Sequence, residues 1–398
     1  MIEGLTAKRL RSIDALRGAA ALGVVLYHAA GSLPAPSSFI ERWTVRPVQA
    51  MASFGYVGVF LFFVISGFCI HLQWARGRMA GNPAPVQFLA FWKRRARRLY
   101  PPYLAALALY LLIEAFTTHL KLNSFFAWDV TAHLLMLHNL DARTCYSING
   151  VFWTLAIEEQ LYLAYFVLLY LRTRWGWART LVCCALARVV WFLFALMIKR
   201  RFDFDVPVTE AALSHWFTWA LGALGVEAAI GLIKLPAWCR SLRFAVLALL
   251  SAVCLTYALP HSGSIYLHDF GWLWLHPVWG AGFFFLINYA VYAERAGQRN
   301  LRTPRLIVVL AVIGVFSYSL YLTHQLVIME SYLFHVFHLP STLTPLLITT
   351  PACVAFAWIF FRFCERPFLA RSVAHCSRIK TAELGKTVEG GASAAGLL

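Results

Sequence analysis

The sequence predicts an all-α integral membrane protein, a bundle of about ten transmembrane helices with both termini on the cytoplasmic side. Three observations carry this expectation. The 398 residues are 60% hydrophobic and only 13% charged, with mean hydropathy +0.65, whereas soluble domains are roughly a quarter charged and about half apolar. Apolar windows long enough to cross a bilayer, about 17–25 residues each, recur along the whole chain. Lysine and arginine fall between those windows on alternate sides.

The windows lie near 14–33, 55–73, 101–118, 150–171, 180–198, 211–233, 243–260, 269–291, 306–329 and 343–362. A weaker amphipathic piece at 128–140 reads as interfacial. With the N-terminus inside, the cytoplasmic segments hold 26 of the 35 lysines and arginines and the outer segments seven, which decides for N-in, C-in. Lys199, Arg200 and Arg201 go against the rule, with Asp203, Asp205 or lipid phosphate to tether them. The same sorting accounts for the net charge of +17, which in a soluble chain would point to nucleic acid. Lys8, Arg9 and Arg11 ahead of an apolar stretch mimic a secretory signal. A cleaved signal has no place for Arg17 and His28 in its hydrophobic part, so the first span reads as uncleaved. The nine cysteines include no CxxC pair and no cysteine–histidine cluster at zinc spacing; they read as small packing residues, and no metal site is expected. No internal repeat is visible. Residues 1–380 are expected to form one membrane domain, and 381–398, ending EGGASAAGLL, a disordered tail.

Ionisable side chains inside a span are costly and mark candidate sites. In the first span Arg17 and His28 are eleven residues apart. At roughly 100° and 1.5 Å per residue, His28 returns to within about 20° of Arg17, about 16 Å further along the helix, so the two share a face. Asp14 is placed to pair with Arg17 or to cap the helix start. Ahead of the third span, FWKRRARRLYPPY sets Arg95 and Arg98 three apart on one face, where they can fork onto phosphate oxygens; topology and anionic lipid account for such a cluster by themselves. The fourth span carries Thr154, Glu158 and Tyr162 as an i, i+4, i+8 stripe, with Glu159 beside it, and an ion pair with Arg188 is the structural alternative. The ninth span stacks Ser317, Tyr321 and His324 on one face, with Gln325 adjacent, a pattern that interhelical hydrogen bonding also explains. Glu114, His215, Glu227 and His276 stand singly and read as packing residues.

Taken in order, these stretches resemble the acyltransferase-3 family of integral membrane O-acyltransferases. The resemblance is carried by IDALRG with Arg17 and His28, by GYVGVFLFFVISGFCI, FWKRRARRLYP, FWTLAIEEQLYL and FSYSLYLTHQ, and by CERPF after the last span. It runs from Arg11 to Phe368. It implies an enzyme of the bacterial inner membrane that uses acyl-CoA, usually acetyl-CoA, as co-substrate with no permanently bound cofactor. The implied acceptor is a hydroxyl of a glycan or glycolipid at the extracytoplasmic side, or of a secondary metabolite such as a macrolide sugar. His28 is then the catalytic base, Arg17 a partner of the donor, and Arg95 with Arg98 the cytoplasmic arginine pair. Some family members append an extracytoplasmic hydrolase-like domain; this chain reads as the short form.

The residue types suit that chemistry. A histidine near neutral pKa can take the proton of a sugar hydroxyl. A thioester's leaving thiol, with a pKa near about 8.5 by analogy with cysteine, needs no strong acid. An extended pantetheine arm is comparable to the roughly 16 Å rise between Arg17 and His28. The acceptor is expected along the polar seam of Glu158, Glu159, Tyr162, Ser317, Tyr321 and His324, which otherwise is structural. No serine or cysteine sits in a nucleophile motif, which favours direct attack over an acyl-enzyme. The expected partners are acyl-CoA, the acceptor and the lipid bilayer, with no nucleic acid; oligomeric state is not written in the sequence. The competing class is a proton-coupled transporter, whose paired half-structures and broken helices the sequence does not show.

Overall fold

A computed structural model describes residues 10–31, 39–81, 85–117, 123–259, 271–296, 304–330 and 345–369. The twelve α-helices among them are α1 (Arg11–Gly31), α2 (Phe39–Ser53), α3 (Gly58–Met79), α4 (Phe88–Thr117), α5 (Ser124–Leu134), α6 (Trp153–Phe202), α7 (Ala212–Ile230), α8 (Leu242–Ala258), α9 (Trp272–Arg295), α10 (Arg305–Val315), α11 (Ser317–Glu330) and α12 (Thr350–Phe360). Five helical segments are long and apolar enough to cross a membrane, or six if the bent pair of α10 and α11 counts as one span. The stripe Val182, Leu186, Val190 and Leu193 on α6 is 58%, 56%, 62% and 58% exposed. An apolar face of that kind belongs against lipid. The expected tail, 381–398, lies outside the described residues.

Helices α3 and α7 form the centre and are buried on nearly every side, as helices apolar all round must be. Phe63, Val64 and Phe68 of α3 meet Trp219, Ala220 and Ala223 of α7 in one core. Their backbones approach closely. A Cβ on Gly67 would fall 1.9 Å from the Trp219 carbonyl oxygen, and one on Gly222 would fall 1.9 Å from that of Val64. Small residues at crossings are how membrane helices gain contact where apolar burial gives no drive. Helix α1 packs against α10 in the same manner, with Gly18 on Leu310 and Gly314 on Asp14.

One buried hub ties α3, α6 and α7. The Glu227 carboxylate accepts hydrogen bonds from Arg172 (2.7 Å) and Trp177 Nε1 (2.9 Å), and His71 Nε2 lies 2.9 Å away. His71 Nδ1 faces the Tyr165 hydroxyl at 3.1 Å. The expectation of a packing role for Glu227 fits this geometry, although the residue works through polar bonds.

Four features depart from the expected windows. The fourth and fifth windows, together α6, are two helices joined without a loop at Gly176 (φ 75, ψ 176), a backbone conformation that glycine tolerates. The chain reverses there. The Ala142 N–H donates to the Asp205 carbonyl at 3.0 Å and Asn139 Nδ2 to that of Glu210 at 2.8 Å, so the end of α6 returns to the segment that precedes its start. The basic stretch before the third window is itself helical and continuous with it in α4. Helix α2 lies between the first two windows. The ninth window is broken at Phe316, where α10 and α11 meet at 81°. Gly314 holds α10 against α1 while Ser317 Oγ caps the Gly314 carbonyl at 3.1 Å. A broken helix is therefore present, contrary to the sequence reading.

Lys199 is tethered as expected, 2.9 Å from both Asp203 and Asp205. The described part of the segment between α4 and α6 begins with Asn123, whose side chain caps α5 by accepting from Phe126 N at 2.8 Å. In it His133 and His138 stack at 4.0 Å between ring centres, both fully buried.

Candidate functional site

A cavity of about 450 Å³ lies between α1, α3, α4, α6, α10, α11 and the turn after α12. Its charged lining comes from four chain regions: Arg17 (α1), Arg95 and Arg98 (α4), Glu158 (α6) and Glu365. The i, i+3 spacing of the arginine pair has the expected consequence. Arg95 and Arg98 are half-buried and turned to the cavity, while Lys93, Arg94 and Arg97 on the other faces are exposed. Arg95 stands over the Phe91 ring, 5.7 Å from its centre, and its Nε has no hydrogen-bond partner.

Arg17 donates to Cys69 Sγ at 3.5 Å. No ion pair within 4 Å joins it to Asp14 or to any other described carboxylate, so the pairing with Asp14 that the spacing allowed is not made. Glu158 accepts from the Tyr162 hydroxyl at 3.2 Å. Glu365 belongs to a π-helical turn, Phe361–Glu365, and accepts from Ser319 Oγ at 2.6 Å. Three guanidinium groups thus share the cavity with two carboxylates, and phosphate oxygens are suited to the remaining donors.

At its far end the cavity is lined by Thr154, Phe62 and Tyr321. The Tyr321 hydroxyl receives a 2.8 Å hydrogen bond from Thr154 Oγ1 and donates to the Val151 carbonyl at 3.2 Å. Its ring sits 5.9 Å from that of Phe62 and 5.8 Å from that of His324. His324 in turn reaches His28, Nε2 to Nδ1, at 3.2 Å. His28 and His324 are therefore one ring layer beyond the cavity, and neither lines it.

The structure brings together most of the residues singled out by sequence. Arg17, Arg95, Arg98, Thr154, Glu158, Tyr162, Ser317 and Tyr321 line one cavity, and His28 meets His324 behind it. Glu159 is separate: it faces Trp92, whose Nε1 donates to it, and its Oε2 is buried without a partner. The expected single seam therefore divides, because adjacent helical residues point about 100° apart. Arg188 pairs with neither glutamate; it donates to the Trp272 carbonyl at 3.1 Å and stacks on that ring. His215 and His276 stack on each other at 5.3 Å, in keeping with packing roles. Gln325 accepts from Gly150 N at 3.1 Å and fixes the approach to α6. Glu365 and Cys69 were missed. Each lies in a stretch that carries the resemblance, CERPF and GYVGVFLFFVISGFCI, but nothing local marked either side chain. Among the described residues no group of three His, Cys, Asp or Glu is placed to hold a metal ion.

The family model described as "Acyltransferase domain" matches residues 10–362. Among curated proteins, the chain is similar to a peptidoglycan O-acetyltransferase, OatA, of Listeria monocytogenes, with 28% identity over 181 residues, which is 42% of this chain and 25% of that protein. It is also similar to the O-acetyltransferase OatA of Staphylococcus aureus, with 29% identity over 167 residues, 39% of this chain and 24% of that one. The chain thus spans about a quarter of the length of these relatives. No solved structure matches it.

Proposed function

Because the chain belongs to the acyltransferase family, we propose that it moves an acyl group, most simply acetyl, from acyl-CoA to a hydroxyl of a glycan or glycolipid. The observation that supports this is the course of the cavity, from the Arg95–Arg98 pair past Arg17 to within one ring layer of His28. In this reading the chain has about ten spans with both termini in the cytoplasm of a bacterium. CoA phosphates then sit at the arginine end, and the acceptor meets His28 from the outer side. The names of the two relatives favour a cell-wall glycan over a macrolide sugar as acceptor.

His28 takes the proton of the acceptor hydroxyl, and the oxygen attacks the thioester carbonyl. The C–O bond forms, the C–S bond breaks, and the thiolate of CoA leaves with the proton that His28 held. Glu158 and Glu365 partly offset the positive charge of the three guanidinium groups between turnovers. For the acyl carbon to reach His28, the Phe62 and Tyr321 rings must part.

The test uses detergent-purified protein. His28→Ala is expected to abolish acetyl transfer from acetyl-CoA to a glycan acceptor while CoA still raises the thermal unfolding midpoint. Transfer at near wild-type rate by that variant would overturn the proposal. The break between α10 and α11 favours a second reading, a transporter, since such folds place broken helices at their binding sites. A midpoint that ignores CoA, with solute uptake by vesicles that His28→Ala abolishes, would establish that reading instead.

A further inference from the structure

The histidine pair behind the cavity fixes where every proton must be. His324 is fully buried, and its Nδ1 lies 2.8 Å from the Tyr321 carbonyl oxygen and 3.2 Å from that of Leu320. Carbonyl oxygens only accept, so Nδ1 carries the hydrogen, and in a neutral ring Nε2 is then a bare lone pair. That lone pair faces His28 Nδ1 at 3.2 Å. Two bare nitrogens cannot bond, so His28 Nδ1 must carry the hydrogen. The Val24 carbonyl oxygen, 2.9 Å from the same atom, makes the same demand. The hydrogen of His28 is therefore shared between Val24 and His324, and His28 Nε2 is left bare. That nitrogen has no hydrogen-bond partner, and it is not among the buried polar atoms that lack one.

We infer that His324 is a positioning residue: through its Nε2 lone pair it holds His28 in the tautomer whose Nε2 is free to accept a proton, and it steadies the cation that results. The inference rests on the proposed role of His28 as base. The Val24 bond alone is a feature of the His28 helix itself, four residues back, and leaves the ring free to move with α1. The His324 bond ties the ring to α11, whose Tyr321 closes the cavity and whose carbonyls orient His324. When the acceptor hydroxyl gives its proton to Nε2, the imidazolium carries a hydrogen on each nitrogen. The Nδ1 hydrogen stays on His28, donated to His324, and the Nε2 hydrogen leaves with the CoA thiolate as the C–S bond breaks. No proton is left over and no other group is needed.

Two measurements test this. The first is nitrogen NMR of protein labelled at its histidines in lipid, with His28 assigned by difference from His28→Gln. Wild type is expected to show His28 protonated at Nδ1 and bare at Nε2, and His324→Leu to show a mixture of tautomers. Protonation of His28 at Nε2 in wild type, or an unchanged ratio in His324→Leu, would overturn the inference whatever the activity. The second is steady-state transfer. A glutamine oxygen can replace the Nε2 lone pair, whereas asparagine reaches only to the Nδ1 position. His324→Gln is expected to retain at least tenfold more kcat than His324→Asn, with KM for acetyl-CoA within about twofold of wild type in both. Equal kcat in the two variants, or a loss confined to KM, also counts against it. An active His28→Ala would remove the base and sink the proposed function, while the NMR result would still decide the tautomer.

Discussion

Gly314 lies so close to Asp14 that a Cβ on it would fall 1.8 Å from the Asp14 carbonyl oxygen. The obstructing atom is backbone and cannot swing aside. This contact sets the distance between α1, which carries Arg17 and His28, and the break that aims α11. Gly314→Ala is therefore expected to cost about 1–3 kcal/mol of stability by overpacking and to lower transfer more than donor binding. The thermal midpoint and kcat of the variant check this. Gly31→Ala, at the end of α1 with nothing within 4 Å of the new atom, is the control and should resemble wild type.

The cavity-facing arginines can be told from their neighbours. Arg95→Gln and Arg98→Gln are each expected to weaken CoA binding about tenfold to a hundredfold, the worth of a hydrogen bond to a charged group. Arg94→Gln and Arg97→Gln, on exposed faces of the same turns, should change it by less than about threefold. Isothermal titration with CoA in detergent separates the two pairs, and equal effects at all four positions would show that the cluster acts only by its charge.

Glu227 should matter to the fold and leave the donor site alone. Removing its carboxylate strands the Arg172 guanidinium and His71 inside the bundle, so Glu227→Ala is expected to lose about 3–5 kcal/mol. Glu227→Gln keeps one acceptor oxygen and should lose less. In both variants the stabilisation produced by CoA should persist, because the hub is outside the cavity lining.

The segment between α4 and α6 carries a pH signature. Burial, and then the neighbouring His133, push the His138 imidazole down from 6.5 to about 3. The unfolded chain binds that proton below pH 6.5 and the folded one does not, so stability from this residue is constant above about pH 7 and falls as the pH drops toward 3. The loss is about 1.4 kcal/mol between pH 7.5 and pH 5.5. Thermal midpoints across that interval should fall in wild type and fall less in His138→Phe, which keeps the stack on His133.

Much of the site was legible because helical periodicity converts spacing into a shared face. Arg17 with His28, Arg95 with Arg98, and Thr154 with Glu158 and Tyr162 all follow from rotation along a single helix. Contacts between helices were not. Nothing in the neighbourhood of His28 names His324, almost three hundred residues away, and nothing around Ser319 names Glu365. Those pairings depend on where glycines let backbones approach, and a glycine in an apolar window gives no sign of its partner. The break at Phe316 was hidden for a related reason: Gly314–Ser317 lies inside an unbroken run of hydrophobicity, which reports the surrounding medium and is blind to a bend.

The Tyr321 hydroxyl, held by Thr154 and Val151, has a bearing on economy as well as geometry. In the proposed reaction the thioester waits on one side of that ring and the base on the other. A cell keeps its donor pool charged whether or not an acceptor is at hand, and a site in which the two met continuously would drain it by hydrolysis. With the ring in place, a loaded protein is idle until something arriving at the His28 side moves it. Turnover is then governed by the supply of acceptor.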